Sequence, residues 1–244
     1  MDKKIKNNEM MRRYLETAPI GQAGNVPKTK IEWMRHNFLQ FFPGKEKTYL
    51  DIGPGQGDTL LFWKELGYEK IQSVDIAEDV CAHIQKLGFK CNLVSDPADF
   101  LNKNKERFDF IMLSDVVEHI PKDNLVEFMQ AVYGSLKEGG MVVIKVPNAQ
   151  SPHFAVGRYG DLTHIQSFTE LSLTQLLKLA GFNNFKFYAE NIPIGNGLNI
   201  KQVVSEHLIT PIYFWWIRKL RGAIAHESPE ILTQAIITVA EKNK

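Results

Sequence analysis

The stretch Tyr49-Leu50-Asp51-Ile52-Gly53-Pro54-Gly55-Gln56-Gly57-Asp58 reads as a strand that runs into a glycine turn and then a helix. Glycines at such a turn let the backbone reverse tightly and let a ligand come close. Their G-x-G-x-G spacing differs from the G-x-G-x-x-G of dinucleotide binders. Asp51 at the strand end would repel a pyrophosphate and attract an α-ammonium group. Asp75 lies twenty residues beyond Gly55, at the end of the next apolar run, and suits a carboxylate that accepts both hydroxyls of a ribose. The ligand these acids imply is a nucleoside with an amino-acid tail. Two further segments could move protons. Asp115, Glu118 and His119 stand at i, i+3 and i+4, on one face of a helical turn ahead of Pro121. Arg158 to His164 adds Asp161 and a second imidazole.

Short apolar runs at Thr48–Ile52, Ile71–Ile76, Lys90–Val94, Phe108–Leu113 and Met141–Val146 predict five strands. Between them the pattern predicts helices over Thr59–Leu66, Glu78–Leu87 and Asn124–Leu136, with a short turn near Asp99. Thr169 caps a further helix that Gly181 stops, followed by strands at Phe185–Glu190 and Gln234–Ala240. The last two strands are more than forty residues apart, too far for a structureless loop, so a helical insertion is expected over about 192–230. The fold class is α/β: a doubly wound, seven-stranded, mostly parallel Rossmann-like sheet. Residues 1–44 would form an N-terminal helical cap on a domain spanning 45–244.

From residue 46 to about 190 the chain resembles class I S-adenosylmethionine-dependent methyltransferases. The likeness is carried by Asp51-x-Gly53-x-Gly55-x-Gly57, Asp75, Phe108-Asp109-Phe110-Ile111 and Leu136-Lys137-Glu138-Gly139-Gly140. It implies S-adenosylmethionine as cofactor, with Gly53 and Gly55 beside its methionine part and Asp75, next to Ile76, on the ribose. It places Asp96, with Asp99 near enough to exchange roles, by the adenine amine, and Ser114 completing the cradle.

The acceptor should lie at the carboxyl ends of strands four and five. Asp161-x-Thr163-His164, continuing into Phe168-Thr169, resembles methyltransferases that modify quinone precursors and cell-surface sugars. The acid-x-x-Glu-His turn with a distant histidine resembles the divalent-metal site of small-RNA 2′-O-methyltransferases and of the quinone-pathway enzymes. That likeness implies Asp115, Glu118, His119 and His164 as ligands of Mg²⁺ or Mn²⁺. Such an ion would lower the pKa of an acceptor hydroxyl. Asp115 departs from the pattern, which usually carries the longer glutamate. The rival roles are His164 as a metal-free general base, with His119 and Asp161 beside it, or plain positioning of the acceptor. His153 and Asp161 could complete other constellations.

Composition narrows the field from the other side. The chain has 244 residues, with 29 Lys plus Arg against 28 Asp plus Glu, so no basic field exists to hold a nucleic acid. The longest apolar run, Ile209–Ile217, contains Pro211 and is far shorter than the roughly 20 residues a membrane span needs. Two cysteines, Cys81 and Cys91, are too few for a disulfide framework or a cysteine zinc site. A cytoplasmic enzyme is expected, with a homo-oligomer open. After Thr210-Pro211, the residues Ile212, Trp215, Trp216 and Leu220 share a stripe that ends in Arg218, Lys219 and Arg221. Packing on the sheet or on a second subunit is the ordinary reading of that stripe; a membrane surface or a lipid-linked substrate is the lesser one.

The function expected is O-methylation of a sugar or glycan intermediate, as in capsule or surface polysaccharide biosynthesis. A quinone precursor is the nearest alternative acceptor and an RNA ribose the next. Ser114-Asp115-Val116 replaces the Asn/Asp-Pro-Pro-aromatic loop of nucleobase N-methylases. A cofactor-binding subunit without catalysis is the alternative of another class, and the intact Asp51, Asp75 and His164 argue against it.

Overall fold

Buried strands that alternate with helices leave one economical way to cover both faces of each strand, a parallel sheet between two helical layers. The computed structural model, which describes residues 14–17, 26–191, 200–224 and 230–243, has this form. The strands are β1 Tyr49–Ile52, β2 Ile71–Asp75, β3 Cys91–Leu93, β4 Phe108–Ser114, β5 Leu136–Pro147, β6 Asn184–Ala189 and β7 Ala235–Glu241. They lie in the order β3-β2-β1-β4-β5-β7-β6. β7 runs antiparallel to both β5 and β6, while β1 to β5 pair in parallel.

The helices, in chain order, are α1 Tyr14–Thr17, α2 Lys28–Phe38, α3 Asp58–Glu65, α4 Glu78–Lys86, α5 Pro97–Asn102, α6 Lys122–Ser135, α7 Phe154–Tyr159, α8 Glu170–Ala180, α9 Ile200–Val204 and α10 Thr210–Ile224. One core lies between the sheet and α5, α6 and α8, and is filled by Ile111, Leu113, Leu101, Met129 and Leu177. The other lies beneath α2, α3 and α4, where Tyr49, Phe110, Phe38, Trp63 and Ile84 meet. Successive residues of β4 thus serve opposite faces, as strand geometry requires. Thr169 and Ser172 cap α8 reciprocally, and Gly181 ends it in the left-handed region.

Three features differ from the expectations. β5 begins at Leu136, five residues ahead of the apolar run that marked it, because Gly139 and Gly140 let the chain bend within the strand. A Cβ on Gly140 would meet the Lys137 carbonyl at 2.9 Å and the Phe108 carbonyl at 3.1 Å, and the β4–β5 register slips between Phe108 and Phe110. Cys81 of α4 and Cys91 of β3 are joined by a disulfide. The stripe of α10 does not pack on the sheet: Ile212, Trp215, Trp216 and Leu220 are all exposed.

The starts of β1, β4 and β5 are tied together by Asp109, which accepts hydrogen bonds from the Thr48 backbone amide at 2.9 Å and from Lys137 Nζ at 2.6 Å. Burial alone would raise its pKa, but these donors hold the carboxyl down at about 2. With that edge closed, the opposite edge carries the carboxyl ends of β1 to β5. The reversal of strand order between β1 and β4 opens a crevice there.

Candidate active site

The crevice is a cavity of about 910 Å³ lined by residues from the ends of β1, β2, β4 and β5 and from α1, α2 and α6. Asp51, Gly53, Gly55, Asp75, Ile76, Asp96 and Ser114 all reach its wall. Gly53 adopts a φ of +67°, and a Cβ there would come within 2.7 Å of Val116 Cγ2. Gly53→Ala is therefore expected to cost about 1–3 kcal/mol in stability, read as a drop in denaturation midpoint, because both strain and overlap are imposed. An unchanged midpoint would show that the loop has slack. Gly57 stands behind the wall, as the left-handed cap of α3 packed toward Ile84 and Leu87.

The two acids differ in what holds them. Asp51 is buried and its Oδ2 has no hydrogen-bond partner. Burial, then the charges of Asp75 and Asp58, push its pKa well above the usual carboxylate range. Asp75 accepts from the Ala77 amide at 2.7 Å, and burial still pushes its pKa up to about 6. A cationic group presented to Asp51 and hydroxyls presented to Asp75 would relieve both. Asp96 caps α5 through the Ala98 amide at 2.8 Å and still faces the cavity, whereas Asp99 does not reach it. Ser114 donates to Asp115 at 3.2 Å.

At the acceptor end the sequence-predicted residues divide. Asp115 has a positive φ of 57°, and both its oxygens are held by Lys145 Nζ at 2.7 and 2.8 Å. It is thus withdrawn from the expected ligand set. Asp161 closes a turn by accepting from the Thr163 amide at 2.8 Å and the Thr163 hydroxyl at 2.5 Å, with Tyr14 donating to its other oxygen at 3.3 Å. Burial would raise its pKa, but the Thr163 bonds and the nearby imidazoles hold it down, which leaves it a poor proton acceptor. His153 lies outside the cavity, 6.1 Å from the Tyr213 ring.

Glu118, His119 and His164 do come together, each offering a ligand atom within 4.8 Å of the others. His164 Nδ1 lies 2.6 Å from the Gly157 carbonyl and donates to it, which turns Nε2 toward Glu118, 3.8 Å away. Glu118 is fully buried, and neither of its oxygens, nor His119 Nδ1, has a hydrogen-bond partner. Burial, then Asp115, drives the Glu118 pKa upward; burial, then His164, drives that of His119 downward. Unpartnered atoms on Glu118 and His119, with His164 Nε2 beside them, fit a divalent cation, and two nitrogens favour a first-row transition ion over magnesium. Of the three residues only His119 lines the cavity.

The lining residues that the motifs do not mark include Lys145, Tyr14, Lys30 and Trp33. Lys145 does stand out, as a lone charge inside Val-Val-Ile-Lys-Val, a run otherwise fit only for a core strand. Tyr14, Lys30 and Trp33 carry no local signal, since their role depends on where α1 and α2 settle.

The methyltransferase domain family model matches residues 28–186 of the chain. The structure resembles that of a SAM-dependent methyltransferase from Archaeoglobus fulgidus, at a TM-score of 0.67 and 25% identity, over 99% of this chain and 100% of the other. Phosphoethanolamine N-methyltransferase 2 of Haemonchus contortus shares the fold at a TM-score of 0.58 and 15% identity, over 96% of this chain and 56% of the other. The mitochondrial ubiquinone biosynthesis O-methyltransferase of Rattus norvegicus is 28% identical over 154 residues, which span 57% of this chain but only 43% of that relative's length. By the family match and the structural likeness, the chain belongs to the class I S-adenosylmethionine-dependent methyltransferases of the methyltransferase domain family.

Proposed function

We propose that the protein methylates a hydroxyl of a sugar or glycan intermediate, as in surface polysaccharide biosynthesis, at the end of the cavity between Trp33 and His119. The observation that carries this reading is the chemistry of that end. Trp33 contributes an indole ring over which the Lys30 and Lys145 ammonium groups lie at 5.2 and 5.9 Å, and Asp115, Lys145, Asn124 and Thr163 line the same end with donors and acceptors of both signs. A saturated ring, with apolar C–H faces and a rim of hydroxyls, matches such a wall.

When bound, S-adenosylmethionine supplies an electrophilic methyl group on a sulfonium, so the chain's own task is to position the acceptor and remove its proton. Asp51 would hold the α-ammonium, Asp75 the ribose and Asp96 the adenine side. Glu118, His119 and His164 would hold a divalent ion, whose chemistry is to lower the pKa of the acceptor hydroxyl. Without one, His119 is the better-placed base, since burial favours its neutral form and it lines the cavity, with the His164 ring packed against it at 4.7 Å.

A second reading, a quinone-type phenol as acceptor, rests on the match to the rat ubiquinone-pathway enzyme. The two are separated by offering labelled S-adenosylmethionine with a panel of sugar nucleotides and catechols. Label entering catechols and no sugar would transfer the assignment to the phenol. Asp75→Ala is expected to weaken S-adenosylmethionine by about 1.5–3 kcal/mol in titration calorimetry, and NADH is expected not to compete. Tight NADH binding would overturn the cofactor assignment.

A further inference from the structure

The segment from α9 through α10, residues 200–224, buries little of its apolar surface. Ile200, Val204, Leu208, Ile212, Trp216 and Leu220 recur every four residues and are all exposed. Trp215 joins them at 58% exposure, beside Trp216 at 52%. One π-helical turn, Ser205–Ile209, with more residues per turn than an α-helix, lies between α9 and α10 and keeps the four-residue steps nearer one face. The segment is also basic: Lys201, Arg218, Lys219 and Arg221 stand against the single acid Glu206, in a chain whose formal net charge is only +1.

The apolar surface continues onto α7. His153 and Tyr213 bring the two elements together with ring centroids 6.1 Å apart. Val156, Tyr159 and Leu162 are exposed there, Leu162 at 86%. Arg158 of α7 in turn donates to the Ile165 carbonyl at 2.8 Å, and Ile165 lines the cavity. At the far end of α10, Arg218 donates to the Glu230 carbonyl at 2.6 Å, which fixes the helix beside the start of β7.

We propose that this surface docks on an anionic lipid bilayer, with α10 lying in the plane of the headgroups. Tryptophans beside basic residues suit the boundary between acyl chains and charged headgroups, and the excess of lysine and arginine complements an anionic surface. Among the described residues no helix is long and apolar enough to cross a membrane, so the contact is a surface one. A second copy of the chain fits this face less well. An antiparallel pairing of two such segments sets Lys219 against Lys201, and a parallel one sets each basic cluster against itself. The docking does not depend on which hydroxyl is methylated.

The test is flotation of the intact protein with vesicles of phosphatidylcholine alone and of phosphatidylcholine with about 30% phosphatidylglycerol. Binding is expected to be at least about tenfold tighter to the anionic vesicles, with a blue shift of tryptophan emission, and to weaken as salt is raised. The double variant W215E/W216E should lose binding, and K201Q/K219Q, at two exposed lysines, should lose the preference for anionic lipid. Both should keep the affinity for S-adenosylmethionine, which shows that the variants remain folded. Equal recovery of wild-type and W215E/W216E with anionic vesicles would overturn the proposal. So would a dimer in sedimentation velocity that W215E/W216E dissolves while vesicles bind nothing, because the face would then belong to a second copy.

Discussion

Glu118→Ala is expected to lower turnover by about 10²- to 10⁴-fold while S-adenosylmethionine affinity stays within about threefold of wild type. The reason lies in what surrounds the carboxyl. Glu118 has no access to solvent, its two oxygens have no hydrogen-bond partner, and His164 Nε2 lies 3.8 Å from one of them. A buried carboxyl kept without a partner is costly unless a cation balances it. If an ion does so, chelation should abolish turnover, manganese should restore it in the wild type, and His164→Ala should be as damaging as Glu118→Ala. If none binds, chelator should change nothing. Glu118→Ala should then be mild, since it removes only an acid already pushed toward its neutral form, and His119→Ala should carry the loss instead. Direct metal analysis of wild-type and Glu118→Ala protein gives a readout that does not depend on activity. Full turnover of both Glu118→Ala and His119→Ala under chelation would sink both versions and leave positioning alone.

The contrast between these residues and Asp115 shows what a linear sequence can convey. The spacing of Asp115, Glu118 and His119 is that of one helical face, and it does place Glu118 and His119 together. Asp115 is lost to that group because Lys145, thirty residues away on a neighbouring strand, grips both of its oxygens. That pairing depends on strand register, with Ser114 opposite Lys145, and register is a tertiary property. Asp161 is different, since its carboxyl is used locally by Thr163, two residues on; the placement of His164 off the cavity wall, packed on the His119 ring, is again tertiary. The cofactor half was legible because it is local: a strand, a positive-φ turn and a helix adjoin in sequence, and Asp75 follows one βα unit later. The helices between β6 and β7 were legible as elements. Their exposure was not, since an apolar stripe reads alike whether it faces a core, a partner or lipid.

Asp51→Asn is expected to move stability and function in opposite directions. In the free protein Asp51 is buried with one oxygen unpartnered, and its folded-state pKa lies above the unfolded value of 3.8. A raised carboxylate pKa means that the folded state binds the proton more tightly than the unfolded chain. Stability is therefore lost as pH rises through the folded pKa and regained on acidification. Replacing the acid with its neutral isostere removes that penalty, so the unliganded variant should be more stable than wild type by about 1–3 kcal/mol at pH 8. The difference should vanish only well below the unfolded value of 3.8, where Asp51 is protonated in both states. The ammonium of S-adenosylmethionine, by contrast, needs the charge, and its affinity at pH 8 should fall by about 10- to 100-fold in the variant. Acidification should weaken the cofactor in wild type as Asp75, near 6, and Asp51, raised by burial, take up protons. The Asp51→Asn protein should retain only the part of that dependence due to Asp75. Thermal melts and calorimetry across the same pH series measure both halves. A variant less stable than wild type at pH 8, with cofactor affinity unchanged, would mean that Asp51 is a structural acid and that the ammonium is held elsewhere.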